Sequence, residues 1–358
     1  MYEYMNEGGG GMTRGDVHGG RDETDDLTAA IEMYYSRGWT DGLPVVPPTE
    51  TSVRAMIDAG GLDPDAEITF IADRQVSVTA EKVAINAVLA GCRPEYMPVI
   101  VAAIEAIGDP RYNYHGPATS TSGSAVLILV NGPITRELGI NCGGNLFADG
   151  WRANATIGRA VRLVMRNVIG TLPGRLDRSS LGHGGKYTFC IAENEAESPW
   201  EPVHVERGFR RDQSTVTVFA ALAPHQFANQ LSNTADGVLS TACAHMRISA
   251  GVGKGVQYFL VIAGEHMRVI ANDGYSKEDI RRFCFEHTMT SQAELKRIHV
   301  MPGAIDGEDE ARMVPLIPTP EDLVVVAAGG RAGVQSAYIP GWGTRKASES
   351  VTREIRLP

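Results

Sequence analysis

The chain of 358 residues carries a formal net charge of −10, with 43% hydrophobic and 21% charged residues. This is an ordinary globular composition, long enough for one large domain or two. The acidic balance argues against a general nucleic-acid surface, which needs a basic patch, and no apolar run approaches the roughly 18 residues of a membrane span.

Five cysteines, Cys92, Cys142, Cys190, Cys243 and Cys284, are widely spaced and form no CxxC. They read as reduced thiols of a cytoplasmic protein without a sequence-evident zinc site. No basic stretch followed by an apolar one marks a secretory leader. Residues 1–24, MYEYMNEGGGGMTRGDVHGGRDET, are glycine-rich and polar, which predicts a disordered leader. Apolar residues at helical spacing from Leu27 to Tyr35 predict a first helix. GWTDGLPVVPPTE (38–50) reads as an ordered loop held extended by its prolines. Thr49 or Thr51 caps a helix over 53–59, and 68–72 reads as a strand. Segments 79–90 and 98–107 are apolar on nearly every side and predict core helices. A polar loop with His115 (112–124) leads into a buried strand, 125–130. That strand ends at Asn131-Gly132-Pro133, on the carboxyl side where open α/β sheets place their sites.

Residues 141–186 run from one glycine-rich loop through a helix into another. On a helical wheel Ile157, Ala160, Val161, Val164 and Val168 share one side, while Arg152, Arg159, Arg162 and Arg166 crowd the opposite one. Asn154 or Thr156 is the expected cap. Two readings stand. One is a solvated basic face paired with acidic residues. The other is an anion pocket, in which Arg152, Arg159, Asn154 and the N–H groups of Gly143, Gly144 and Gly150 hold a carboxylate or phosphate.

Further on, 187–192 reads as a strand with Glu193, Asn194 and Glu195 beyond its end. Segment 213–220, where Val216 and Val218 interleave with Thr215 and Thr217, predicts a half-buried strand. After Pro224, 226–247 reads as a helix weakened at Gly237, GVGKG (251–255) as a turn, and 256–263 as a buried strand. Ser276 caps a helix with Asp279 three residues on, and 323–328 is the last clear strand. LVNGPITREL (129–138) and VIAGEHMRVI (261–270) echo one another, Gly132 matching Gly264 and Arg136 matching Arg268. The expected fold is α/β, mixed sheets with helices packed on them. The echo raises the idea of two related halves around a cleft, divided as leader 1–24, N-terminal half 25–222 and C-terminal half 223–358.

For chemistry, His183 and Lys186 in GHGGK are candidates to move a proton or hold an anion, against a plain surface turn. Glu193, Glu195, His204 and Glu206 form an acidic and imidazole cluster suited to acid–base work, against a salt-bridged loop. Asn131 and Trp200 lie beside these strand ends. Cys142 is a nucleophile if an electropositive site lowers its pKa, and a plain thiol otherwise. Neither a Walker pattern nor an HExxH or HxH spacing is present, so no nucleotide, metal or other cofactor is evident.

The blocks GWTDGLPVVPPTE, EKVAINAVLAGCRPEYMPV, RANATIGRAVRL and AENEAESPWEPVHVERGF, with the tail VTREIRLP, resemble a bacterial family of conserved, largely uncharacterised proteins associated with UGSC-motif thiol/selenoproteins. The resemblance runs from about residue 30 onward and implies a cytoplasmic α/β unit with a thiol or selenol redox partner. The chain has no U/C-GSC motif of its own. The leading expectation is an enzyme, lyase-like or hydrolytic, assembled as a homo-oligomer and acting on a small anionic molecule. Arg152 and Arg159 would hold the anion and His183 or Lys186 would be the acid–base group, tuned by Glu193 and Glu195. The rival is a ligand- or partner-binding subunit of a thiol/selenol redox complex.

Overall fold

The computed structural model describes residues 16–20, 22, 26–248, 256–344 and 346–358. Helix α1 (Leu27–Ser36) starts on Asp26, whose carboxylate accepts from the Thr28 and Ala29 nitrogens. Helix α2 (Glu50–Ala59) starts on a reciprocal Thr49–Ser52 capping box, the arrangement that satisfies two otherwise orphaned helix donors. The antiparallel hairpin β1 (Glu67–Ile71) and β2 (Val76–Thr79) runs directly into α3 (Ala80–Ala90) and α4 (Met97–Ile107), both largely buried.

There follow α5 (His115–Thr119), β3 (Ala125–Asn131), α6 (Ile134–Glu137), the arginine helix α7 (Arg152–Asn167), β4 (Cys190–Ala192), α8 (Val203–Glu206) and β5 (Thr215–Ala221). The chain continues through β6 (His225–Ala228), α9 (Ala235–Ile248), β7 (Tyr258–Ile262), α10 (Gly264–Asn272) and α11 (Lys277–His287). A small hairpin, β8 (Met289–Ser291) with β9 (Met313–Pro315), flanks α12 (Gln292–Arg297) before β10 (Leu323–Ala327), β11 (Gln335–Pro340) and β12 (Val351–Glu354).

The fold is α/β with mixed sheets. One sheet has the order β4-β3-β5-β12, the other β10-β7-β11-β6. In each, the first pair is parallel and the next two are antiparallel. The sheets stack face to face: Leu127, Leu129, Ile191 and Phe219 meet Phe259, Val261, Val326 and Ile339, with the Phe219 and Phe259 rings stacked at 4.5 Å. Helices α4 and α7 cover the outside of the first sheet, with α3 packed over them, and α9, α10 and α11 cover the second. The fourth strand of each sheet comes from the chain next to the other sheet. β6 follows β5 yet pairs with β11, and β12 follows β11 yet pairs with β5. The chain therefore crosses between sheets near residue 223 and crosses back at β12.

Several sequence expectations need correction. Segment 213–220 is not half-buried: every residue of β5 is buried, because helices cover one face and the second sheet the other. Thr215 and Thr217 thus point between the sheets, not to solvent. Segment 226–247 is not one helix. Its start is the edge strand β6, and the Asn229 carboxamide accepts from the Leu231 and Ser232 nitrogens to turn the chain before α9. The strand expected over 187–192 is shortened to Cys190–Ala192, and β2, β11 and β12 were not foreseen.

The buried Ile157/Val161/Val164 face of α7 is as expected. That helix passes so close over β4's approach that a Cβ on Gly158 would lie 2.7 Å from the Phe189 nitrogen, so only glycine fits there. Most of the expected leader, and GVGKG, lie outside the described residues. Within the leader, however, 16–20 dock. The His18 and Gly19 nitrogens donate to Glu81 Oε1 at 2.8 and 2.9 Å, and Val17 packs on the first core.

Candidate functional site

The arginines of α7 are fasteners. Arg159 grips Asp41 with two 2.8 Å bonds and also donates to the Leu43 and Pro44 carbonyls. Arg152 donates to Gly91 O, Arg162 pairs with Asp177, and Arg166 donates to Thr40 O. The acceptors lie in the proline-held segment 38–50, at Gly91 after α3 and at Asp177. Arg159 and Arg166 clamp the 40–44 segment and Arg152 ties α7 to the end of α3, so the forks of Arg152 and Arg159 are turned to protein acceptors, which corrects the anion-pocket reading. Asn154 is not the cap either, since Trp151 takes that position. Asn154 is buried, accepts from the Asn141 nitrogen at 2.7 Å and donates to the Asn141 and Cys190 carbonyls. It pins the 141–144 loop to β4. Within that loop the Gly143 nitrogen is engaged by the Asn141 carboxamide, which in turn donates to Gly144 O.

Cys142 is half-buried. Burial pushes its thiol pKa up, and the nearby Glu197 and Glu195 add to the rise. The site around it is thus electronegative, opposite to what thiolate nucleophilicity requires.

His183 and Lys186 lie at the wrong end of the sheet to work with Glu193 and Glu195. His183 Nε2 is 3.3 Å from Ala221 O, and Ala221 pairs with Ala125 at the start of β3. Burial lowers the His183 pKa. Lys186 Nζ is bound by both Asp177 oxygens at 2.9 and 2.7 Å and by Ser179 Oγ. Glu193 and Glu195 follow β4, which runs parallel to β3, and so sit beyond the other end of β3. Over that seven-residue strand the separation is about 20 Å. Trp200 donates its indole N–H to Tyr275 O at 2.8 Å and packs on the second core.

What the fold does bring together is the acidic and imidazole cluster, at the carboxyl ends of β3 and β4. Glu193 is buried. Its Oε2 accepts from Asn131 Nδ2 at 2.7 Å and the Val203 nitrogen at 2.8 Å, and its Oε1 from Lys277 Nζ at 3.2 Å. Lys277 also reaches Glu206 at 3.0 Å, and Glu206 pairs with Arg281 at 2.6 Å. Glu195 Oε1 accepts from the Gly132 nitrogen at 2.6 Å and Asn131 Nδ2 at 3.0 Å, and lies 3.8 Å from His204 Nδ1.

Four atoms here are buried without a protein hydrogen-bond partner: Asn131 Oδ1, both His204 ring nitrogens and Thr215 Oγ1. Asn131 and Thr215 are direct cross-strand neighbours. Both point into the layer between the sheets, which is apolar along most of its length and turns polar here. Alongside opens a cleft of 560 Å³ lined by Arg111, Glu206, Arg207, Arg281, Ser350 and Arg353 among others. Asp109 binds both Arg111 and Arg353.

Lys277 and Thr215 were not foreseen as site residues. A lysine in the first turn of a helix opposes the helix dipole, and that misfit in the Ser276-capped helix is the signal from which a carboxylate partner could have been read. Among the described residues, no group of three or more His, Cys, Asp or Glu is arranged to hold a metal ion, and no helix is long and apolar enough to cross a membrane. A scan against protein-family models finds no match, and no curated protein matches the chain.

Proposed function

We propose that the protein is an enzyme acting on a small carboxylated or otherwise anionic molecule, by acid–base chemistry of the elimination, addition or hydrolysis kind. We assign the reaction to the carboxyl ends of β3 and β4. One observation carries this reading: a Glu195 carboxylate beside a His204 imidazole, in a buried setting with hydrogen-bonding capacity left over. Buried polar groups are normally paired, and pairs of titratable groups in unlike environments are the usual basis of acid–base catalysis. Glu195 is the base and His204 the group that passes or returns the proton. Lys277 holds Glu193 in place as a fixed anchor for Asn131. Arg111 and Arg353, which line the neighbouring cleft and share the single Asp109 carboxylate, take the anion-holding role first expected of Arg152 and Arg159. We further read the protein as bacterial and cytoplasmic and as a homo-oligomer, on its cysteines and its resemblance.

The test uses the purified chain with a panel of small carboxylates. Ligands are detected by the rise in melting temperature that binding to the native state alone produces, and turnover by mass spectrometry. Glu195→Gln abolishes turnover while leaving binding within a few-fold. Turnover unchanged in that variant sinks the assignment. Binding without turnover in the wild-type chain favours instead a binding subunit of a thiol/selenol redox complex, the partner implied by the family resemblance.

A further inference from the structure

We propose that His204, Asn131 and Thr215 bind an ordered water that links the His204 imidazole to the Glu195 carboxylate. His204 then acts as a positioning residue for that water and a relay for its proton. This rests on the acid–base reading of the same site, and adds to it the species that carries the proton.

The geometry is specific. Nδ1 of His204 and Oε1 of Glu195 are 3.8 Å apart, too far for a direct hydrogen bond. Two hydrogen bonds of about 2.8 Å each span such a gap with an angle of roughly 85° at the shared oxygen, within the range of bridging waters. The neighbours supply the rest of a water's coordination. Asn131 Oδ1 can only accept. Thr215 Oγ1 can donate or accept, and one nitrogen of a neutral imidazole donates while the other accepts.

Asn131 cannot satisfy its own oxygen by turning over, because its Nδ2 is held between the Glu193 and Glu195 carboxylates. A flipped amide would set oxygen against two anions. All three side chains are fully buried, where each unpaired group is costly. A water between His204 Nδ1 and Glu195 has one donor and one acceptor left, which match Asn131 Oδ1 and Thr215 Oγ1 in kind, and buried waters typically make about three such bonds. In the relay, Glu195, once protonated by the substrate, gives that proton to the water, which passes one of its own to the free nitrogen of the neutral His204 imidazole. The carboxylate is regenerated, the imidazole becomes imidazolium, and the water is unchanged. Reversal returns both.

The experiment is a crystal structure of the full chain at a resolution that shows ordered solvent, with melting and imidazole ¹⁵N spectra of the wild type and two variants. The expected density is a water within hydrogen-bond distance of a His204 nitrogen and of Asn131 Oδ1 or Thr215 Oγ1. Thr215→Val, which keeps the shape and removes one anchor, lowers the melting temperature by a few degrees. Glu195→Gln shifts the His204 ring resonances. Direct contact between imidazole and carboxylate with no water between them overturns the proposal, as does a Thr215→Val protein that melts at or above the wild type. A water present in the crystal while Glu195→Gln leaves turnover intact keeps the hydration site and removes the catalytic reading, so the two fail separately.

Discussion

At the carboxyl end of β3 and β4 the layer between the sheets presents Asn131, Glu193 and Thr215. At the matching end of β7 and β10, by register, stand Ala263, Ala328 and Gln335. In the first sheet the Gly132 nitrogen is satisfied by the Glu195 carboxylate, and in the second the Gly264 nitrogen by the Gly330 carbonyl at 3.0 Å. The second end is packed shut: a Cβ on Gly264 would stand 2.7 Å from Arg331 Cα. One strand arrangement is thus closed at one end by small residues, backbone and a His266–Ser336 hydrogen bond, and at the other by a buried carboxylate–lysine–imidazole network. The network is not something the architecture requires. Burying charge and unpaired polar atoms costs stability, and of these two ends the first is the one that carries a buried ion pair.

The sharpest way to break this contrast is Glu193→Ala. It leaves Lys277 with Glu206 alone and the Val203 nitrogen without its acceptor, and losing one partner of a buried pair costs about 3 kcal/mol. Chemical denaturation measures it. Replacing both partners, Glu193→Leu with Lys277→Met, recovers most of that loss, because the second sheet already manages with apolar residues there. If the single and double variants are equally unstable, the pair is not what sets the two ends apart.

Next in size is Arg159→Ala, which leaves Asp41 without its fork. This costs about 2–3 kcal/mol for a partly buried pair and leaves small-carboxylate binding untouched. A variant of normal stability that no longer binds would return the anion site to α7.

A smaller loss, about 2 kcal/mol, is expected on deleting residues 1–20, since Glu81 loses two charge-assisted bonds from the docked segment. An unchanged melt would show that this docking contributes nothing.

The smallest effect is in pH. The hydrogen bond from Arg111, aided by Arg353, holds the Asp109 carboxyl at about 2 against an ordinary 3.8. Because the folded value is the lower one, its contribution is complete above about pH 4 and is lost as the pH falls through about 2. Asp109→Asn therefore flattens the acid limb of the stability curve between those values and lowers stability at neutral pH. An acid limb of the same slope would remove Asp109 from that account.

Much of this frame was legible beforehand because burial writes itself into local pattern. The all-apolar segments became α3 and α4, the Ile157/Val161/Val164 stripe became the buried face of α7, and Ser276 with Asp279 became a reciprocal cap. Thr215 and Thr217 misled because alternation normally marks a solvent face, and only a second sheet lying on that face reveals them as interior. His183 and Lys186 were grouped with Glu193 and Glu195 on nearness in sequence, but β4 carries the chain from one end of the sheet to the other between them. The acceptors for Arg159 and Arg166 lie more than a hundred positions upstream, in a proline-held loop, a distance no local pattern spans. Lys277 required a contact between α11 and β4's exit that no periodicity encodes.

The exchange of fourth strands has a consequence for how the chain is made. β5 is synthesised long before β12, so the first sheet keeps an open hydrogen-bonding edge until the far end of the chain returns to it. Such edges template pairing with other chains, and contacts this distant in sequence slow folding. β6 leaves β5 at once for a sheet whose other strands are not yet translated. Neither sheet can therefore mature during synthesis on its own. A fragment ending near residue 222 should need trapping or a complementary fragment to stay monomeric, and the completed chain should unfold as one cooperative unit rather than sheet by sheet.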